Sequence, residues 1–299
     1  MTLQAQSFAT VVFADAKLER IRAVAANLGA VTGVEAEKAL GEDVAAILGL
    51  HATHSCRNAL GYPHIDGVPE VIPFTGSNGR RLEASVHSIA DGAAMEIADS
   101  LVNPRSHNLL ARFAAMAPSL ANLPAATADA VRGAAGCDQA IALGPGGEPS
   151  AIASLGAVGA EDALQSLMER DAAFEVLRDV EAPLIELRGE DNRWAAPLVL
   201  TLSHSEALVR FARAIGARGA VFVRASSVAV VAWSAQPLVV SFGMAQAIGL
   251  IAKFADQAAH SVETSERSQR LTLMSDILIL EDDRQLSRRW KDALTGAGH

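Results

Sequence analysis

No charged residue falls between Arg224 and Lys253. A stretch that uncharged has to leave water, either in lipid or in a folded core. Its internal pattern selects the core. A spanning helix needs about 20 apolar residues in a row, but Pro237 sits mid-run and Ser226, Ser227, Ser234, Gln236, Ser241 and Gln246 interrupt it. Proline inside a helix removes a backbone bond and clashes with the preceding turn. The run divides instead into three short apolar pieces, residues 220–223, 228–233 and 238–242, separated by turn-forming residues. That pattern predicts a meander of three strands. Beyond Gly243 the period changes: Met244, Ala247, Ile248, Ile251, Phe254 and Ala255 fall on one helix face.

Upstream, residues 198–202 read as a buried strand. Ser203 with Glu206 fits a capping box for a helix whose inner face is Leu208, Phe211, Ala212 and Ile215. Gly216 supplies its stop.

The start of the chain reads similarly. Residues 8–14 predict a strand ending at Asp15, and Leu18, Ile21, Ala25 and Leu28 predict a helix closed by Gly29. Without a gap, Ile21, Val24, Ala25, Leu28 and Gly29 align in type with Leu208, Phe211, Ala212, Ile215 and Gly216. Residues 70–74 and 81–89 predict a hairpin around Ser77, Asn78 and Gly79, since Asn-Gly favours tight turns. On its second arm Leu82, Ala84, Val86 and Ser88 alternate with a half-exposed row of Arg81, Glu83, Ser85 and His87. Ala94, Met95, Ala98, Leu101 and Val102 then predict a helix.

The expected fold class is therefore α+β, mixed α/β, with a mainly antiparallel sheet and packed helices. Two similar β-α-β-β-α units are the reading of the repeat, against the plainer one that an Ala-rich chain manufactures such likeness. The expected organisation is a first α/β unit over residues 1–103 with an inserted loop at 31–68. A mostly helical connector follows over 104–193, and a second α/β unit with a C-terminal helix over 194–299. In the connector, Ser106 and Thr127 are candidate helix caps, with Leu109, Leu110, Phe113 and Met116 facing inward after the first. Residues 139–143 read as a strand, 160–180 as a helix and 184–187 as a short strand. At the end, residues 271–280 fit either a strand or a helix, and 281–294 read as a helix.

Composition narrows the function. Half the residues are apolar but only 4% are aromatic, so the core is built of small aliphatic side chains. A formal charge of −9 argues against a nucleic-acid surface, which needs clustered Lys and Arg. Cys56 and Cys137 are the two cysteines, too far apart to suggest a disulfide framework. The first nine residues lack the basic start and apolar run of a secretory signal. The expectation is a soluble cytoplasmic protein with no membrane span.

Candidate chemistry is sparse. His51, His54, Cys56 and His64 lie close in sequence with Asp66 beside them. Imidazole and thiolate are good ligands for zinc or iron, although no C-x-x-C or H-E-x-x-H spacing is present. Arg57 and Asn58 in the same segment suit an anionic ligand instead. The loop at Gly144, Pro145, Gly146 and Gly147 has the glycines of a phosphate cradle, but its prolines remove N–H donors. Ser203, His204 and Ser205 sit at a strand-to-helix junction without the glycines of a nucleophile elbow. Glu96 and Asp99, one turn apart on a helix, could share a proton or a cation, or simply face solvent. The sequence thus assigns no catalytic residue. The leading expectation is a binding or assembly protein with a protein partner or a second copy of itself. The alternatives are a metal-dependent, hydrolase-like enzyme using the His51 to His64 loop, and a small-ligand-binding protein with its pocket between the two units.

Overall fold

The computed structural model describes residues 4–61, 70–90, 92–100, 123–143, 149–150, 160–169, 174–189, 206–226 and 228–279. Two antiparallel sheets organise them. The first holds seven strands: β1 (Gln4–Ala5), β2 (Thr10–Ala14), β3 (Ile21–Ala25), β4 (Val71–Thr75), β5 (Arg81–Ile89), β6 (Gly92–Asp99) and β10 (Ile185–Gly189), in the order β1-β10-β3-β2-β6-β5-β4. The second holds β7 (Gln139–Leu143), β8 (Pro149–Ser150), β9 (Phe174–Leu177), β11 (Gly219–Arg224) and β12 (Ala229–Ser234), in the order β8-β7-β12-β11-β9. The mixed α+β class with antiparallel pairing is what forms.

The helices α1 (Leu28–Thr32), α2 (Ala36–Ala39) and α3 (Ala45–Gly61) cover one face of the first sheet. Leu28, Ala39, Ile47, Ala52 and Cys56 pack there against Val12, Val24, Val86, Met95 and Ile97. The second sheet is covered on both faces. On one side lie α4 (Leu123–Ala135) and α7 (Phe242–Ile279), where Val131, Met244, Ile248 and Ile251 meet Val221 and Val230. On the other lie α5 (Ala160–Met168) and α6 (Glu206–Ala214), where Leu164, Leu167, Leu208 and Phe211 meet Phe222 and Trp233. Phe211 and Trp233 pack edge to face, 5.7 Å between centroids at 78°.

Three expected elements take another form. Residues 18–28 do not make a helix. Asp15 Oδ1 accepts the N–H groups of Lys17 (3.1 Å) and Glu19 (2.9 Å), the side-chain turn that aspartate favours, and the chain reverses into β3. Residues 94–98 lie in β6, not in a helix. Both strands are buried on two faces, so they lack the alternation that marks a half-exposed strand and their apolar spacing imitates a helix. Residues 238–242 do not add a strand to the meander, because β9 and β7 already occupy the free edges of the β11–β12 pair. Leu238 docks instead through its N–H on Arg178 O (2.8 Å), and Ser241 begins α7. The match between residues 21–30 and 208–217 is therefore a strand against a helix.

Of the remaining expectations, some hold and some shift. The hairpin at 71–89 forms around Gly79, whose φ is 79°. Leu208, Phe211 and Ala212 are buried on α6, and Gly216 follows it at φ 68°. The middle third supplies α4 and α5, but also β7 and β9 of the second sheet and β10 of the first. The helix expected over 160–180 is shorter: it ends at Met168, and residues 174–177 form β9 instead. Thr127 lies inside α4, where its hydroxyl donates to Leu123 O, rather than at the start. The backbone of α7 stays helical through Ile279, deciding residues 271–279 as helix. Among the described residues no helix is long and apolar enough to cross a membrane. The strand at 198–202, the Ser203 cap, the 144–147 loop, the segment 103–118 and the helix at 281–294 lie outside the described residues.

The two sheets share chain segments. β10 inserts between β1 and β3, pairing Leu187 with Ala25 and Gly189 with Ala23. Only glycine fits at 189, since a Cβ there would overlap that of Ala23 and lie 2.7 Å from Arg22 O. Gln6, one residue past β1, reaches the second sheet. Its carboxamide donates to Val176 O (2.5 Å) and accepts from Arg178 N (3.0 Å), 170 and 172 residues away in sequence. It thereby fills part of the edge that β9 would leave open.

Candidate functional site

The residues expected to bind metal separate on α3. Residues three apart on a helix share a side, and those two apart do not. His51 and His54 are exposed, whereas Cys56 is fully buried in the core beneath the helix. Burial pushes the Cys56 thiol up to about 12, with a smaller contribution from Glu70, which keeps it protonated and a poor ligand at neutral pH. His64 lies outside the described residues. Among the described residues no group of three His, Cys, Asp or Glu side chains stands close enough to hold a metal ion. Arg57 is already engaged. Its Nε donates to Lys17 O (2.7 Å) and its Nη2 to Leu18 O (3.2 Å) and Asp43 (3.4 Å), bracing the turn before β3.

The face of the first sheet opposite α1–α3 carries polar groups the pattern did not place inside. Residues directly across an antiparallel pair share a face. Glu83 pairs with Ala98, Ser85 with Glu96 and His87 with Ala94, so Glu83, Ser85, His87 and Glu96 line one stripe. The predicted alternation along β5 is present, but its polar row is covered: Ser85, His87 and Glu96 are 1%, 4% and 1% exposed. His87 Nε2 stands 2.8 Å from Glu96 Oε2 and 3.3 Å from Ser85 Oγ. A carboxylate only accepts, so the tautomer protonated on Nε2 fits. Both neighbours use the same ring nitrogen, whereas a triad base holds its acid on one and its serine on the other. The trio is a buried hydrogen-bonded cluster, not a nucleophile relay. Glu96 and Asp99 lie on a strand and face opposite ways; Asp99 pairs with Arg80 at the hairpin base (2.6 Å).

The stripe ends at the second sheet. Ala9 and Ala98, on the same face, belong to the core formed by α4 and α7. The Glu83 carboxylate stands near the backbone N–H of Phe242 and the hydroxyl of Ser100. Burial raises its pKa, and those two donors oppose the rise. Its Oε1, shielded from solvent, has no donor among the described residues.

Two further places have the makings of a ligand site. Under α5 and α6, Phe222 and Trp233 of the second sheet pack against Phe211 of α6 beside the buried Glu175, which pairs across the strands with Phe222. Aromatic walls with one polar group are the usual lining of a small-molecule site. A cleft of about 320 Å³ also opens where β3 meets β10, lined by Arg20, Ile21, Arg22, Leu40, Gly41 and Gly189.

Residues 2–98, which carry β1–β6 and α1–α3, match the family model described as the PAS fold. No curated protein matches the chain. Among solved structures, the chain is similar to the chromophore-binding domain of a Stigmatella aurantiaca bacteriophytochrome, in a point mutant solved in the Pr state. That likeness has a TM-score of 0.71 at 14% identity and covers 86% of this chain and 95% of that one. It is also similar to a bacteriophytochrome of the photosynthetic bacterium R. palustris, at TM-score 0.70 and 18% identity, over 96% of this chain and 66% of that one. The photosensory core module of the Stigmatella protein gives 0.73 at 15% identity, with this chain spanning 61% of it. At such identities the likeness carries the fold: a PAS-type sheet joined to a second helix-covered sheet.

Sequence reasoning missed the stripe because Glu83, Ser85 and His87 alternate as a solvent-facing row would. The one available signal was the apolar density of β6, which carries Glu96 between Met95 and Ile97; a lone acid in such a run asks for a buried partner.

Proposed function

We propose that the chain is a sensory module that binds a small conjugated organic molecule and passes the bound state on through α7, without catalysing a reaction. The observation that carries this reading is the shared architecture with a chromophore-binding domain over 95% of that domain: both sheets and their covering helices are present together. The proposed seat is the face of the second sheet under α5 and α6, where a ligand would displace the packing of Phe211 of α6 on Trp233 and Phe222, beside the buried Glu175. The ligand is held without a thioether. Both cysteines are buried, and burial pushes each thiol up to about 12, which suppresses the thiolate that would form one. Two free cysteines also suit a reducing compartment, so the working location is the cytoplasm. The output element is α7. Its 38 residues make a rod of about 57 Å, against roughly 20 Å for a six-residue strand, and a second copy or another signalling protein would read it.

The test is visible absorption and native mass spectrometry of the full chain after incubation with the small-molecule fraction of its native cells. One bound organic molecule per chain, lost on replacing Trp233→Ala in protein that still folds, supports the reading. A chain that retains no small molecule and shows no shift in melting temperature overturns it.

A further inference from the structure

We propose that the cleft where β3 meets β10 is a binding site for a small oxyanion, the phosphate or carboxylate of a compact molecule. The cleft holds about 320 Å³ and is lined by Arg20, Ile21, Arg22, Leu40, Gly41 and Gly189. That volume is at the small end of the range for ligand sites. Its lining carries two arginines and no acid among the described residues, in a chain whose formal charge is −9. A positive recess on a negative molecule concentrates small anions locally. Arg20 and Arg22 are two residues apart, so they share one side of the chain, while the Ile21 side chain between them is buried in the core. The facing wall is fixed to the strand. Ile21 N–H donates to Glu42 O (2.8 Å) and Gly41 N–H donates to Ile21 O (2.9 Å). No side chain narrows the recess at Gly41, whose φ of 84° favours glycine, or at Gly189, where a Cβ does not fit. Glu37 of α2 is paired with Arg188 of β10, so that acid is committed elsewhere. Arg20 and Arg22 each contact another group as well, and the five N–H donors of a guanidinium leave room for an oxyanion beside such a contact. Arginine meets two oxygens of one phosphate or carboxylate at once, which is why the ligand is an oxyanion and not a halide. The cleft belongs to the first sheet, apart from the seat under α5 and α6, so its test stands apart from that of the proposed function.

The test is the melting temperature of the full chain titrated with inorganic phosphate, pyrophosphate or citrate, each against sodium chloride of equal ionic strength. At least one of the three should give a saturating rise beyond the chloride control, as a ligand of the folded state does. A response to the phosphates alone names phosphate as the group recognised, and a response to citrate alone names carboxylate. Isothermal titration with the responding anion should then show affinity lowered roughly tenfold or more in Arg20→Gln and in Arg22→Gln, the scale of losing one hydrogen bond to a charged group. Arg22→Lys keeps the charge without the paired donors; it should also weaken binding, and it serves if the glutamine variant does not fold. Arg132→Gln removes a half-exposed cation from α4 and should leave the affinity unchanged. The bound anion should slow hydrogen exchange over residues 20–22 and 41, with α5 and α6 unaffected. The site is overturned if every rise matches chloride, if either arginine variant binds as wild type does, or if Arg132→Gln weakens binding as much as they do.

Discussion

His87 Nε2 lies 2.8 Å from Glu96 Oε2 at a place where neither side chain reaches water. Removing one partner strands the other in a dry environment, which costs roughly 3–5 kcal/mol, whereas replacing both with apolar groups of like size is often neutral. Glu96→Ala and His87→Ala should each lower the urea midpoint sharply, and His87→Leu with Glu96→Leu should recover much of the loss. A double variant as unstable as the sum of the singles would show that the two residues act independently.

Glu83 and Asp138 should give opposite pH signatures. Glu83 is raised from its ordinary 4.5, mainly by burial, so the stability it adds is full below 4.5 and is lost as pH rises through its folded value. Asp138 is lowered from 3.8, first by the Ser234 hydroxyl and then by Ala235 N–H. Its contribution is present above 3.8 and is lost as pH falls through its folded value. Between acid and neutral pH, wild type should lose ground to Glu83→Gln and gain ground on Asp138→Asn. Parallel curves for the two variants would contradict these assignments.

Thiol labelling should be silent in the native protein. Cys56 and Cys137 are both buried, with thiols pushed up to about 12. A chromogenic disulfide reagent should report near zero thiols per native chain and two after denaturation. Rapid native labelling would place at least one sulfur at the surface.

Gly189→Ala should detach β10. The new methyl overlaps Ala23 and crowds Arg22 O, so the strand has to shift or leave. The expected loss is about 2–4 kcal/mol, together with faster exchange in β3 and β1, while α5 and α6 keep their protection. Unchanged exchange in β3 would mean that the sheet absorbs the methyl.

What could be read from the pattern divides along burial. The 71–89 hairpin, α6 and the start of α7 were legible because each has one face in the core and one in water, or ends in a turn residue that admits one geometry; β11 and β12, buried on both faces, were legible as short apolar runs rich in β-branched residues and separated by serines. β3 and β6 were not, because covered strands lose their period of two. Ala23, Val24 and Ala25 carry no information about which side is solvent. β10 was legible as a strand but not as a member of the first sheet, since nothing in residues 185–189 names a partner more than half the chain away. The polar stripe failed for the converse reason: Ser85 and His87 look like surface until Glu96 is placed opposite them. Of the expected metal residues, His51 and His54 share a helix side as the spacing allows, and Cys56 turns away from them.

The insertion of β10 between β1 and β3 has a consequence for how the protein is made. When the first hundred residues have left the ribosome, β3 still has a bare edge and β1 has nothing to pair with; both wait for residues 185–189. Gln6 waits in the same way for Val176 and Arg178. Pairings of such long sequence separation are slow to close. The PAS-type half is therefore synthesised first and finished late, and a nascent chain stalled before Gly189 would carry an open strand edge. Such a chain would depend on a chaperone or risk pairing with its neighbour.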